Sequence, residues 1–131
     1  MPATFNQVLE EIRLGAIELL RLNDIITSVN QTRALSVALM SKKNKVNKVY
    51  LLCNDIENDG ARSLSLALMN EYNKVTPLNL LQCKIGDDGA RSLSTALMNE
   101  NNKVALLDLS ANKIGKESSF ESRKRSDGLL I

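Results

Sequence analysis

Apolar residues along this chain follow two alternating rhythms. Leu78 and Leu80, and again Leu107 and Leu109, alternate with polar neighbours over a short span, the period of a strand with one buried face. Ala61, Leu64 and Leu68, and likewise Ala90, Leu93 and Leu97, fall at spacings of three and four, the stripe of an amphipathic helix. Each strand is therefore followed by a helix. Asn58, Asp59, Asp87 and Asp88 precede the helical stripes and are suited to cap helix amides. Asn44, Asn73 and Asn102 stand where left-handed residues often end helices. At the N-terminus, Phe5, Val8, Leu9 and Ile12 form one further stripe, with Thr4 and Gln7 spaced as a capping box.

The pattern repeats. The segment from Asp59 to Val75, DGARSLSLALMNEYNKV, returns from Asp88 to Val104 as DGARSLSTALMNENNKV, an offset of 88 − 59 = 29 residues. Arg33, Leu35, Ser36, Ala38, Leu39 and Met40 stand 29 residues before Arg62, Leu64, Ser65, Ala67, Leu68 and Met69. A second motif shares the period: Val46, Val49, Leu51, Asn54 and Ile56 are followed by Val75, Leu78, Leu80, Cys83 and Ile85, then by Val104, Leu107, Leu109, Asn112 and Ile114. In the first copy Ile17, Leu20 and Leu22 are in phase, but Ile25 replaces the Asn or Cys and Thr27 the final Ile, so an irregular first turn is expected.

On these residues, from Ile17 to Gly115, the chain resembles the leucine-rich repeat family, specifically its ribonuclease-inhibitor-like subtype. The resemblance implies an α/β leucine-rich repeat solenoid: a short right-handed βα superhelix, parallel strands on the concave face and helices on the convex face. It further implies that Asn54, Cys83 and Asn112 pair with backbone groups of neighbouring turns. The physical reading agrees, because one strand-helix unit leaves its apolar face bare and must stack on another. Three regions follow: a capping helix over residues 1–16, about four repeat units over 17–115, and a polar tail over 116–131 that is expected to be disordered. Past Gly115 the period places Ser122, Arg125 and Ser126 at core positions, so no further amphipathic helix is completed. An uncapped last repeat suggests self-association or a fragment of a longer array.

Composition narrows the chemistry. Only 3% of residues are aromatic against 44% hydrophobic, which requires an aliphatic core. With no histidine, nucleophile–imidazole pairs and His-containing metal sites are excluded. We expect no catalytic residue, no cofactor and no metal. The glycines of IGDDGAR and NDGAR lack the lysine and spacing of a phosphate loop. Asp87 and Asp88 read as helix caps rather than metal ligands. A net charge of +2 is too small to argue for nucleic acid, Lys42, Lys43, Lys45 and Lys48 read as a solvated helix end, and Arg123 to Arg125 are a weak match to a nuclear signal. No apolar run spans a bilayer and no leader pattern opens the chain, so a cytoplasmic location is expected, with Cys53 and Cys83 as free thiols, Cys83 buried and Cys53 accessible.

What remains is a binding surface. Strand positions facing away from the leucines build stripes across neighbouring strands: Arg21, Tyr50, Asn79 and Asp108; Asn23, Leu52, Leu81 and Ser110; and Asp24, Cys53, Gln82 and Ala111. Of these, Arg21, Asn23, Tyr50, Leu52, Asn79, Leu81, Gln82, Asp108 and Ser110 are the candidate protein-binding residues, a mixture suited to an interface. The resemblance extends to the repeat regions of NOD-like receptors and Ran GTPase-activating proteins, which implies a protein-protein interaction scaffold, or alternatively a regulator of a small GTPase, or a truncated fragment of a larger repeat receptor.

Overall fold

The computed structural model describes residues 4–115 and 129–130. Its elements run α1 (Phe5–Arg13), β1 (Leu19–Arg21), α2 (Val29–Leu39), β2 (Lys48–Tyr50), α3 (Glu57–Leu68), β3 (Pro77–Asn79), α4 (Asp87–Leu97), β4 (Leu106–Asp108) and β5 (Leu129–Leu130). All strands are parallel in one sheet of order β1-β2-β3-β4-β5. Across the first four strands the register matches the repeat: Leu20 faces Val49, Val49 faces Leu78, and Leu78 faces Leu107. The helices stack in the same order, α1 on α2, α2 on α3, α3 on α4.

Burial explains the stacking. Leu20, Val49, Leu78 and Leu107 form one buried ladder, and Leu22, Leu51, Leu80 and Leu109 the next. Leu35, Leu64 and Leu93 close the interior from the helix side. A single continuous aliphatic core results, because each unit covers the apolar face of its predecessor. At the N-terminal end α1 carries the capping box of Thr4 and Gln7 and buries Leu9 and Ile12 against the array. Gly15 follows its C-cap in the left-handed region (φ +72°), where an added Cβ would strike the carbonyl oxygen of Lys43.

Two helix-end expectations need correction. Asn58, Asp59, Asp87 and Asp88 lie within their helices, and neither α3 nor α4 has a side-chain cap of its own. Asn58 instead reaches forward one unit: its Oδ1 accepts from the backbone N–H of Gly86 and Gly89 at the start of α4 (2.8 and 2.9 Å). Asp87 Oδ1 accepts from Gly115 N–H in the same way (2.7 Å). The cap is thus supplied across the solenoid rather than along the chain. Asn44, Asn73 and Asn102 are not left-handed; they fold back by side chain, as when Asn73 donates to Leu68 O and accepts from Val75 N–H. Left-handed residues recur instead just past each strand, at Asp24, Cys53, Gln82 and Ala111, with Glu57 and Lys84 as two further cases outside that register.

The first turn is irregular: Ile26 is buried, while Ile25 and Thr27 are exposed. Asn54 of the next unit accepts from both Ile25 and Ile26 N–H, so the amides are satisfied although the first unit lacks the asparagine. Thr32, 0% exposed, stands where later units have Ala61 and Ala90, and its hydroxyl has no hydrogen-bond partner. Thr32→Val keeps the shape of the side chain and deletes the stranded hydroxyl. We expect a gain of ~1 kcal/mol, visible as a rise in thermal midpoint of a few degrees.

The polar tail departs from expectation at one place. Most of 116–131 lies outside the described residues, but Leu129–Leu130 are not irregular: they form β5, pairing with Leu107 and Asp108 of β4. The physical reason is the unpaired edge of β4, a row of amide and carbonyl groups that accepts any strand-forming segment within reach. The side of the last unit away from the sheet is more open. Leu97, Val104 and Ile114 are only partly buried, whereas Leu68, Val75 and Ile85 one unit earlier are buried.

Candidate functional site on the strand face

Because strand residues alternate, everything not in the leucine ladders points out of the sheet. The register aligns Arg21 with Tyr50, Tyr50 with Asn79, and Asn79 with Asp108, a row of four on four adjacent strands. Beyond it the ladder hydrogen bonds continue from Asp24 N–H to Leu52 O, Cys53 N–H to Leu81 O, and Gln82 N–H to Ser110 O. These bonds place Asn23, Leu52, Leu81 and Ser110 beside one another, with Gln82 in the following row. All nine candidate residues are exposed or half-buried on one face.

One row was absent from the sequence reading. Leu19, Lys48, Pro77 and Leu106 occupy the positions before the first buried strand residue and open the same face, with Leu19 paired to Lys48 and Pro77 to Leu106. Leu19 and Leu106 are each 46% exposed, large apolar groups left facing solvent. The signal was present in the alternation itself: one residue before each buried Leu or Val also points outward.

The polar groups of the face are held in place by the backbone. Asn79 Oδ1 accepts from Leu81 N–H (3.0 Å) and Asp108 Oδ1 from Ser110 N–H (2.9 Å), each two residues ahead. Asn23 Oδ1 accepts from Leu52 N–H on the adjacent strand (3.0 Å). The Arg21 guanidinium lies over the Tyr50 ring, 5.1 Å from its centroid, a cation–π contact. The charged groups of the face are Arg21 and Lys48 on β1 and β2, Asp24 just past β1, and Asp108 on β4. A small cavity of about 70 Å³ opens between Tyr50, Pro77 and Leu106. A larger trough is lined by Asn58, Asp59, Arg62 and Lys84, of which Arg62 pairs with Asp59 (2.6 Å) and Lys84 with Asp55 (2.8 Å). The Asp55 carboxylate, bonded to Lys84, raises the pKa of that ammonium.

The two thiols differ as their surroundings dictate. Cys53 is exposed, and Cys83 is buried with its Sγ–H donating to Leu51 O (2.9 Å). Burial pushes the Cys83 thiol up from 9.0 to about 11. The folded value lies above the unfolded one, so the neutral thiol stabilises fully below pH 9.0 and that contribution is lost as pH rises through about 11. We expect a thiol reagent at pH 8 to label Cys53 alone, with Cys83 reacting only on unfolding. Equal labelling of both in the native protein would contradict this placement. Among the described residues, no group of three or more Cys, Asp or Glu side chains is placed to hold a metal, and no helix is long and apolar enough to cross a membrane.

Comparison with known proteins agrees with this architecture. Residues 73–94 match the family described as Leucine Rich repeat. The chain is similar in structure to Leiomodin-1 Actin-Binding Site 2, with a TM-score of 0.70 and 22% identity over 86% of this chain; the match spans 65% of that structure. No curated protein matches the sequence.

Proposed function

We propose that this leucine-rich repeat solenoid, capped at its N-terminus by α1, is a protein-interaction scaffold that receives a partner on its concave strand face. The observation that carries the proposal is the composition of that face: exposed Leu19 and Leu106, half-buried Tyr50, Leu52 and Leu81, and polar groups already fixed by backbone bonds. Surface of this kind gains by desolvation, and little ordering entropy is lost on binding because its polar groups are preorganised. The 29-residue offset, visible as Leu19 facing Lys48, supports the ribonuclease-inhibitor-like subtype. A reducing compartment such as the cytoplasm suits the exposed thiol of Cys53.

The name of the structural neighbour records actin binding, which makes actin the first partner to assay. Cosedimentation with actin filaments, and affinity capture from lysate, should be run with the wild-type chain and with the Tyr50→Ala, Leu81→Ala double variant. The double variant should lose proteins that the wild type retains; identical captures would remove the strand face from consideration. Regulation of a small GTPase rests on family resemblance alone, and it requires accelerated GTP hydrolysis. A second reading, self-association, is favoured by the half-open last layer at Leu97, Val104 and Ile114 and by Met98, which is 67% exposed. A strict monomer at high concentration in analytical ultracentrifugation would remove it.

A further inference from the structure

We propose that the strand face anchors its partner through one basic side chain, a lysine or arginine, seated in the notch between Tyr50 and Leu106 with its charge on Asp108. The proposal rests on the concave-face reading above and adds the chemistry of the group received.

Size comes first. The notch holds about 70 Å³. A cofactor or metabolite site runs to roughly 300 Å³ or more, so this volume takes the end of a single side chain. Its walls and floor differ in character. Tyr50, Pro77 and Leu106 supply the apolar sides, with Leu106 46% exposed, and Asn79 and Asp108 supply the polar end. An apolar wall with a charged end matches an amphipathic side chain whose methylenes pack while its head is solvated or paired.

Asp108 decides the sign. Its Oδ1 is engaged with Ser110 N–H, which holds the carboxylate in place, and its second oxygen has no partner among the described residues. The carboxylates of Asp55, Asp59 and Asp88 each have a lysine or arginine within 2.8 Å; Asp108 has no cation within salt-bridge distance among the described residues. Arg21 does not serve it, being three strands away at about 4.8 Å per strand and engaged with the Tyr50 ring. A purely apolar side chain pressed into the notch would strip water from an unpaired carboxylate, and an acidic one would be repelled. A cation compensates the desolvation and gains a charge-assisted hydrogen bond.

The test uses the full chain and two small probes, N-acetyl-arginine amide and its neutral isostere N-acetyl-citrulline amide, followed by ¹⁵N NMR. Arginine amide should shift the Leu81 and Ser110 amides, which are bonded to Asn79 and Asp108, and saturate with a dissociation constant on the order of millimolar. Citrulline amide should bind ~10-fold more weakly, and Asp108→Asn should reduce arginine affinity by a similar factor. The asparagine retains the acceptor for Ser110 N–H, so its amide spectrum away from the notch should be unchanged. Non-saturating shifts, shifts located elsewhere, or equal binding of the two probes would overturn the proposal. The partner-capture experiment above is independent of it: capture that depends on Tyr50 and Leu81 but not on Asp108 would leave the face reading intact and the notch disproved. Capture indifferent to all three would remove the underlying reading.

Discussion

Asn54→Ala should destabilise the protein by about 3 kcal/mol, enough to abolish a large share of its stability, as read by urea denaturation. Asn54 is 2% exposed, and all its bonds go to backbone groups. Its Oδ1 accepts from Ile25 and Ile26 N–H (both 2.7 Å), and its Nδ2 donates to Leu22 O (2.6 Å) and Leu51 O (2.8 Å). Alanine leaves the Ile25 and Ile26 N–H groups and Leu22 O without their partner, each costing ~1 kcal/mol, while Leu51 O keeps the Cys83 thiol as a donor. The chain contains its own control. At the matching position Cys83 has a single S–H, shared between Leu51 O (2.9 Å) and Leu81 O (3.5 Å), and Asp55 N–H pairs with Ile26 O instead. Asn54→Cys should therefore fall between wild type and alanine. A loss below ~1 kcal/mol for Asn54→Ala would show that water replaces the side chain and that the asparagine ladder does not clasp the turns.

Leu80→Ala should cost roughly 3–4 kcal/mol. Leu80 is 0% exposed in the middle of a buried ladder, between Leu51 (0%) and Leu109 (1%). The vacated volume has no route to collapse, because strands on both sides are held in register and buried Leu64 of α3 and Leu93 of α4 belong to the same core. The loss propagates, since an array of this type is stabilised by contacts between successive units. Leu106→Ala serves as the reference: its side chain is on the open face, and its change should stay within about 0.5 kcal/mol. If the two variants melted alike, the ladder would not be the interior.

The strands and helices were legible because the period constrains them twice, once through Leu78, Leu80 and their copies and once through Leu64, Leu68 and theirs. The outward rows followed from the same alternation, apart from Leu19, Lys48, Pro77 and Leu106. Features that depend on contacts between units were not legible. Asn58 looked like a cap for its own helix because spacing along one chain carries no information about Gly86 and Gly89 one unit away. The left-handed residues Asp24, Cys53, Gln82 and Ala111 share no side-chain type, so only the backbone reveals them. β5 was hidden for a similar reason: Leu129–Leu130 stand 22 residues after Leu107 and Asp108 (129 − 107 = 22), outside the period. The notch at Asp108 required knowing which carboxylates are already neutralised.

The forward reach of Asn58 to Gly86 and Gly89, and of Asp87 to Gly115, has a bearing on how such a molecule changes length. Two successive coils carry, on the trailing rim and at the same repeat position, a side-chain oxygen that seats the successor, from asparagine in one and aspartate in the next; the first coil has Val29 there. Crossing-over between two copies of the same stretch would insert or excise a whole coil and leave each joint as it found it. Growth and shrinkage by duplication therefore need no new joinery, and the near-identity of the DGARSLS segments is the kind of trace that such exchange leaves behind.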